Sequence, residues 1–196
     1  GRALTEDDWN DKSKHPYSYA KTEAEKRAWD YAKNVGMNLV VMNPTAVIGP
    51  YFHRHTPSTM LFDKLLKGEL PALPPQTFGY VDVRDVASAH ILAMKNPASN
   101  GQRFALAEKD LWYKEVSKLL RDNGFDKAPK ISVPIWIAKI IANFSKEAKL
   151  ALPYLGRVRS VKNATNAKDI LGWKPRPAED SILEIAQQIK DMGLIK

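Results

Sequence analysis

Short apolar runs alternate with longer helical patterns along this chain, and that alternation constrains the fold more than any other feature. Asn38–Met42, Phe78–Val83 and Gln102–Ala107 read as strands, and Lys130–Val133 as a further extended piece. Between and around them, helices are expected over 16–35, 58–67, 84–95, 110–123, 134–145, 146–152, 166–171 and 180–192. Pro16 suits a first helical position, and Gly36 a stop. Ala20, Ala24, Ala28, Tyr31 and Val35 recur at three- and four-residue spacing. Asp110 is a candidate cap for its helix, and Ile182, Ile185, Ile189 and Met192 a candidate buried stripe. Strands separated by helices of ten or more residues favour an α/β layer structure with parallel pairing. Three strands make a thin sheet for 196 residues, so strand partners are expected from elsewhere. Pro44 to about Pro57 and the proline-rich Leu70–Thr77 read as loops.

The first helix carries Tyr17-Ser18-Tyr19-Ala20-Lys21, which puts a phenol and an ammonium on one face, one turn apart. A phenol is a poor acid near neutral pH, with a reference pKa near 10. A neighbouring ammonium favours the phenolate, and the pair can then pass a proton to or from a carbonyl or alcohol oxygen. The lysine also has three donors to offer a ribose. Spacing alone carries little: with seven tyrosines and abundant lysine, about one such pair arises by chance.

Context gives the pair its weight. Four segments occur in order: Tyr17-Ser18-Tyr19-Ala20-Lys21-Thr22-Glu23-Ala24-Glu25-Lys26, Asn43-Pro44-Thr45-Ala46-Val47-Ile48-Gly49-Pro50, Tyr80-Val81-Asp82-Val83-Arg84-Asp85-Val86-Ala87 and Leu171-Gly172-Trp173-Lys174-Pro175-Arg176-Pro177. Together they resemble the extended branch of the short-chain dehydrogenase/reductase superfamily. That branch includes the NAD-dependent epimerases and dehydratases, and the resemblance is closest to dihydroflavonol and cinnamoyl-CoA reductases. It implies a partial doubly wound, Rossmann-like parallel sheet over 1–109, with a small, mostly helical substrate subdomain over 110–196 interleaved with the sheet. It also implies Tyr17 as the proton donor and Lys21 as the residue that holds the nicotinamide ribose and eases loss of the Tyr17 proton. Pro44, Thr45, Ala46 and Val47 would contact the nicotinamide, and Ser58 would supply a cofactor-facing hydroxyl. The implied cofactor is NADP or NAD, with NADP favoured.

One part of that pattern is missing. A glycine-rich loop binds pyrophosphate through backbone amides at a helix N-terminus. The closest glycines here, Gly68 and Gly79, are too far apart to form one. The family's catalytic serine and the residue that selects NAD or NADP would precede Gly1. The expectation is therefore a fragment, inactive alone, whose sheet is completed by an N-terminal half or by another chain, with a homo-oligomer among the options.

Composition narrows the class. There is no cysteine, hence no disulfide framework and no thiolate site, which fits a cytoplasmic protein. No apolar run is long enough for a membrane span, and the polar start is not expected to act as a signal peptide. Most of the +8 net charge lies between Lys139 and Arg176. Such a stretch attracts polyanions or forms a solvated face. Phe144, Tyr154 and Trp173 are not interleaved as a stacking platform, so nucleic acid is not the expected partner. His53 and His55 lack the acidic or cysteine neighbours of a metal site. Asp82 with Arg84 reads as a helix cap with a local ion pair, and His90 as a residue on a buried helical face. Trp112, Trp136 and Trp173 read as packing residues, with Trp136 and Phe144 also placed where a substrate pocket could lie.

The leading functional expectation is a fragment of an NAD(P)-dependent oxidoreductase that reduces a small-molecule carbonyl: an aldehyde, a ketone or an acyl-CoA-type substrate. Two alternatives stay open. One is a sugar-nucleotide epimerase or dehydratase using the same pair. The other is a non-catalytic module whose basic half contacts an anionic partner.

Overall fold

One extended segment serves two sheets. β1 (Val41–Pro44) and β2 (Ala46–Ile48) are separated only by Thr45. In the computed structural model, which describes residues 3–13, 15–53, 57–144, 149, 152, 155–156, 161 and 165–195, β1 pairs in parallel with β4 (Arg103–Leu106). β2 pairs in parallel with β3 (Thr77–Asp82), which pairs antiparallel with β5 (Lys109–Trp112). The chain is thus an α/β protein with parallel strand pairs, and its described residues form seven α-helices.

The first helix, α1 (Pro16–Val35), starts on Pro16 and ends at Gly36, whose φ of 66° suits a left-handed cap. α2 (Pro57–Lys67), α3 (Val83–Lys95), α6 (Asn166–Leu171) and α7 (Ala178–Asp191) fall close to their expected positions. α4 (Tyr113–Asp122) and α5 (Ile135–Ile141) are shorter than predicted. The 146–152 piece lies largely outside the described residues, as does much of the basic 139–176 stretch.

The strand expectations need correction in three places. The first strand, expected over Asn38–Met42 with Pro44 in a loop, runs over Val41–Pro44, where it pairs with Arg103–Leu106. Ala46–Ile48, expected in a loop, forms β2 because Val47 and its neighbours pair with Tyr80–Asp82. Asp110 does not cap a helix. It sits in β5 opposite Gly79, and Trp112 is the N-cap of α4, its N–H bonded to the Glu115 carboxylate at 2.7 Å. Tertiary pairing overrides the capping preference there. Ser132 lies in a bridge to Leu73, so part of the proline-rich 70–77 loop is held as extended chain.

Two apolar cores follow. One gathers Phe62, Leu65, Tyr80, Val116, Leu120, Ile182, Ile185 and Ile189 between β2–β3, α2, α4 and α7. The other joins Val81, Ala89, Phe104 and Leu106 to Leu171 and Trp173. Because successive strand residues face opposite ways, Tyr80 enters the first core and Val81 the second. Met192, expected in the α7 stripe, is instead exposed. His90 is also exposed, its Nδ1 2.8 Å from the Val86 carbonyl, because α3 buries Ala89 and Ala93 instead.

Candidate active site

α1 presents Tyr17 and Lys21 to solvent. The Lys21 ammonium lies 5.7 Å from the centroid of the Tyr17 ring, which is 67% exposed. The one fully buried residue of α1 is Ala32. The stripe Ala20, Ala24, Ala28, Tyr31 and Val35 faces outward, so the helix docks by its other side. Arg103 of β4 makes that dock. Its guanidinium donates to the Glu25 carboxylate (Nε to Oε1, 2.6 Å), to the Glu6 carbonyl and to the Asp8 carbonyl at 3.1 Å, and lies 3.9 Å from the Trp9 ring centroid. Lys26 pairs with Asp11 at 2.7 Å. The N-terminal segment, α1 and β4 are therefore tied together around one guanidinium.

The second part of the site is the bend at Thr45. Its N–H and its Oγ1 both donate to the Leu106 carbonyl, at 3.0 and 3.1 Å. Gly79 lies against the Thr45 side chain: a Cβ there would meet Thr45 Cγ2 and Asp110 Oδ1, each at 3.1 Å. Among the described residues, the outer edges of β1 and β2 carry no other strand. Ser58 falls in the first turn of α2, and its side chain lies outside the described residues. No hydrogen bond joins Tyr17 or Lys21 to Pro44–Val47 among the described residues, so the structure shows two clusters and not one assembled site.

Ala46 also borders an apolar cleft of about 270 Å³ lined by Ile48, Leu61, Phe62, Phe78, Tyr80 and Tyr113. Phe78 and Tyr113 in its lining stack on each other at 5.5 Å. Burial pushes the phenols of Tyr80 and Tyr113 well above the usual tyrosine range, so both stay protonated. Trp136 and Phe144, considered as pocket residues, are exposed and do not line this cleft. Arg54 and His55 of the His53-Arg54-His55 run lie outside the described residues, and among the described residues no cluster suits a metal ion.

Behind β2 sits a charged lock that fixes the expected cap. Asp82 is buried and caps α3, accepting from the Arg84 N–H at 2.7 Å, from Arg84 Nε at 2.8 Å and from Ser181 Oγ at 2.6 Å. Burial works to raise its pKa, but the hydrogen bonds from Arg84 and Ser181 outweigh it and hold the carboxyl below the usual range. Arg84 also pairs with Glu184 of α7.

Comparison with known proteins places this arrangement. The NAD dependent epimerase/dehydratase family matches residues 2–107. The chain belongs to that family. That family is part of the extended short-chain dehydrogenase/reductase branch, so the chain falls in that branch. It is 38% identical over 190 residues to cinnamoyl-CoA reductase CAD2 of Medicago truncatula, covering 96% of this chain and 52% of that protein. It is 30% identical over 196 residues to cinnamoyl-CoA reductase 2 of Arabidopsis thaliana, covering 97% and 54%. The chain thus spans about half the length of the curated relatives it matches. Gre2 of Candida albicans, solved in complex with NADPH, superimposes with a TM-score of 0.72 at 27% identity, covering 97% of this chain and 58% of that one. The epimerase/dehydratase family match runs from the N-terminal segment through β4, so it includes both α1 and the Thr45 bend.

Sequence reasoning missed two parts of this region. The Arg103 dock had no signal, because its partners come from residues 6, 8, 9 and 25. The cleft depends on β2, a segment whose proline- and histidine-rich surroundings predict a loop. Val47 and Ile48 are β-branched, and that was the available sign of a strand.

Proposed function

We propose that this chain carries the proton-transfer and nicotinamide-facing part of an NAD(P)-dependent carbonyl reductase, with NADP as the favoured cofactor. Tyr17 donates the proton to the carbonyl oxygen as the substrate is reduced. Lys21, beside it, supplies positive charge and hydrogen-bond donors for a ribose. Pro44, Thr45, Ala46 and Val47 contact the nicotinamide, with Ser58 as a further cofactor contact. The residues fit the nicotinamide end of such a cofactor, whereas the phosphate end has no glycine-rich loop in this sequence. The bound cofactor supplies the hydride, and this chain's residues orient the reactants and handle the proton.

The observation that carries the reading is the Lys21 ammonium at 5.7 Å from an exposed Tyr17 ring. The reductase relatives support it. The apolar cleft beside Ala46 favours an apolar carbonyl compound over the polar sugar nucleotide that an epimerase or dehydratase takes. The test is cofactor-dependent reduction of aromatic and aliphatic aldehydes by the enzyme that contains this chain. Tyr17→Phe is expected to lower kcat by about 10²–10⁴-fold while cofactor affinity is kept. Turnover at the unmodified rate in that variant overturns the assignment.

A further inference from the structure

The chain leaving β2 takes an uncommon path. Gly49 has a φ of 121° and Tyr51 a φ of 72°, a left-handed conformation that is costly for a bulky side chain. A Cβ on Gly49 would lie 2.8 Å from the Asp82 carboxylate. The path is held in place from α7. Gln188 accepts a hydrogen bond from the Tyr51 N–H through Oε1 at 2.5 Å and donates from Nε2 to the Phe52 carbonyl at 2.8 Å. One side-chain amide thus satisfies a donor and an acceptor of neighbouring backbone units, as a paired strand would. Phe52 packs on the core that contains Ile185 and Ile189, the residues flanking Gln188 on the buried face of α7.

This short segment joins the two walls of the apolar cleft. Ala46 and Ile48 come from β2, before it, and Leu61 and Phe62 from α2, after it. Phe52 packs on the core that also holds Ile48 of β2 and Phe62 of α2, so fixing it against α7 bears on how those two walls stand. We propose that Gln188 is a positioning residue for the carbonyl-substrate cleft, holding Tyr51 and Phe52 so that α2 and β2 stand at a fixed separation. This rests on the reductase reading for its link to the substrate, but the clamp itself does not need that reading.

Amide hydrogen exchange and steady-state kinetics on the enzyme containing this chain test the proposal together. Gln188→Leu keeps the apolar stem and removes both hydrogen bonds. It is expected to speed exchange at the Tyr51 amide by about tenfold, and to raise KM for the carbonyl substrate by a similar factor. kcat and the KM for the nicotinamide cofactor should stay within about twofold. Gln188→Glu keeps an acceptor for the Tyr51 N–H, so it should retain slow exchange there. Unchanged Tyr51 exchange in Gln188→Leu overturns the clamp. Parallel loss of kcat and cofactor affinity, with a lower melting temperature, overturns the positioning role in favour of a general fold defect. The exchange experiment needs no turnover, so it decides the clamp even if Tyr17→Phe refutes the reductase reading.

Discussion

The Asp85 carboxylate accepts the Arg176 backbone N–H at 2.8 Å and its guanidinium Nε at 3.2 Å. Two residues from motifs 91 positions apart thereby share one part-buried contact. The Asp85 carbonyl extends it by accepting from the Trp173 indole at 2.9 Å. The Val-Arg-Asp segment at the start of α3 and the Gly-Trp-Lys-Pro-Arg segment after α6 are therefore two halves of one structural joint.

Asp85→Ala should destabilise the fold by about 1–3 kcal/mol, because the Arg176 N–H loses its acceptor in a part-buried place. Trp173→Phe should cost less through its hydrogen bond alone, about 1 kcal/mol, with a further loss from the smaller ring. Urea unfolding of the two single variants and the double variant measures this. The Trp173 bond goes to the backbone carbonyl of residue 85 and survives Asp85→Ala, so the two losses should largely add, and native stability in Asp85→Ala would contradict the joint.

Gly49→Ala should destabilise by about 1–3 kcal/mol for backbone reasons, with a further cost from its clash. The added methyl points at Asp82 Oδ2, the oxygen that receives Ser181. Ser181→Ala should therefore lose less in the Gly49→Ala background than in the native one. Thermal melts of the four proteins decide this, and equal losses would show that the methyl leaves Asp82 in place.

Asp82 gives a pH dependence with a definite sign. Its folded pKa is depressed below the ordinary value of 3.8, so its contribution to stability is fully present above that value. The contribution fades as pH falls below it and through the folded pKa. Asp82→Asn should be less stable than the native protein near neutral pH, with the gap narrowing as pH falls below the ordinary carboxylate value of 3.8. A gap that stays constant over that fall would rule out Asp82 as the source.

Much of this was legible in the residues themselves. Pro16 and Gly36 marked α1, Asp82 marked the start of α3, and the isoleucines of α7 marked its buried face, because caps and helical periodicity are local signals. Tyr17 and Lys21 could be paired because four residues make one helical turn. The remainder depended on distant partners. Asp110 is as good a cap by type as any residue, but Gly79 opposite it draws the chain into a strand. Arg103, Gln188 and Asp85 became meaningful only when segments 78 to 137 residues apart met. Position 90 carried an ambiguous side chain, and the choice of face on α3 was settled by the alanines beside it.

Thr45 has a mechanical consequence. The strand residues before it belong to the sheet with β4, and those after it to the sheet with β3. A single covalent thread therefore sets the register of both ladders. Neither can slip along that thread without dragging the other, so a strain applied to the β1–β4 ladder is felt one peptide later in the β2–β3 ladder. Two hydrogen bonds to one carbonyl, that of Leu106, act as the bearing on which this crank turns.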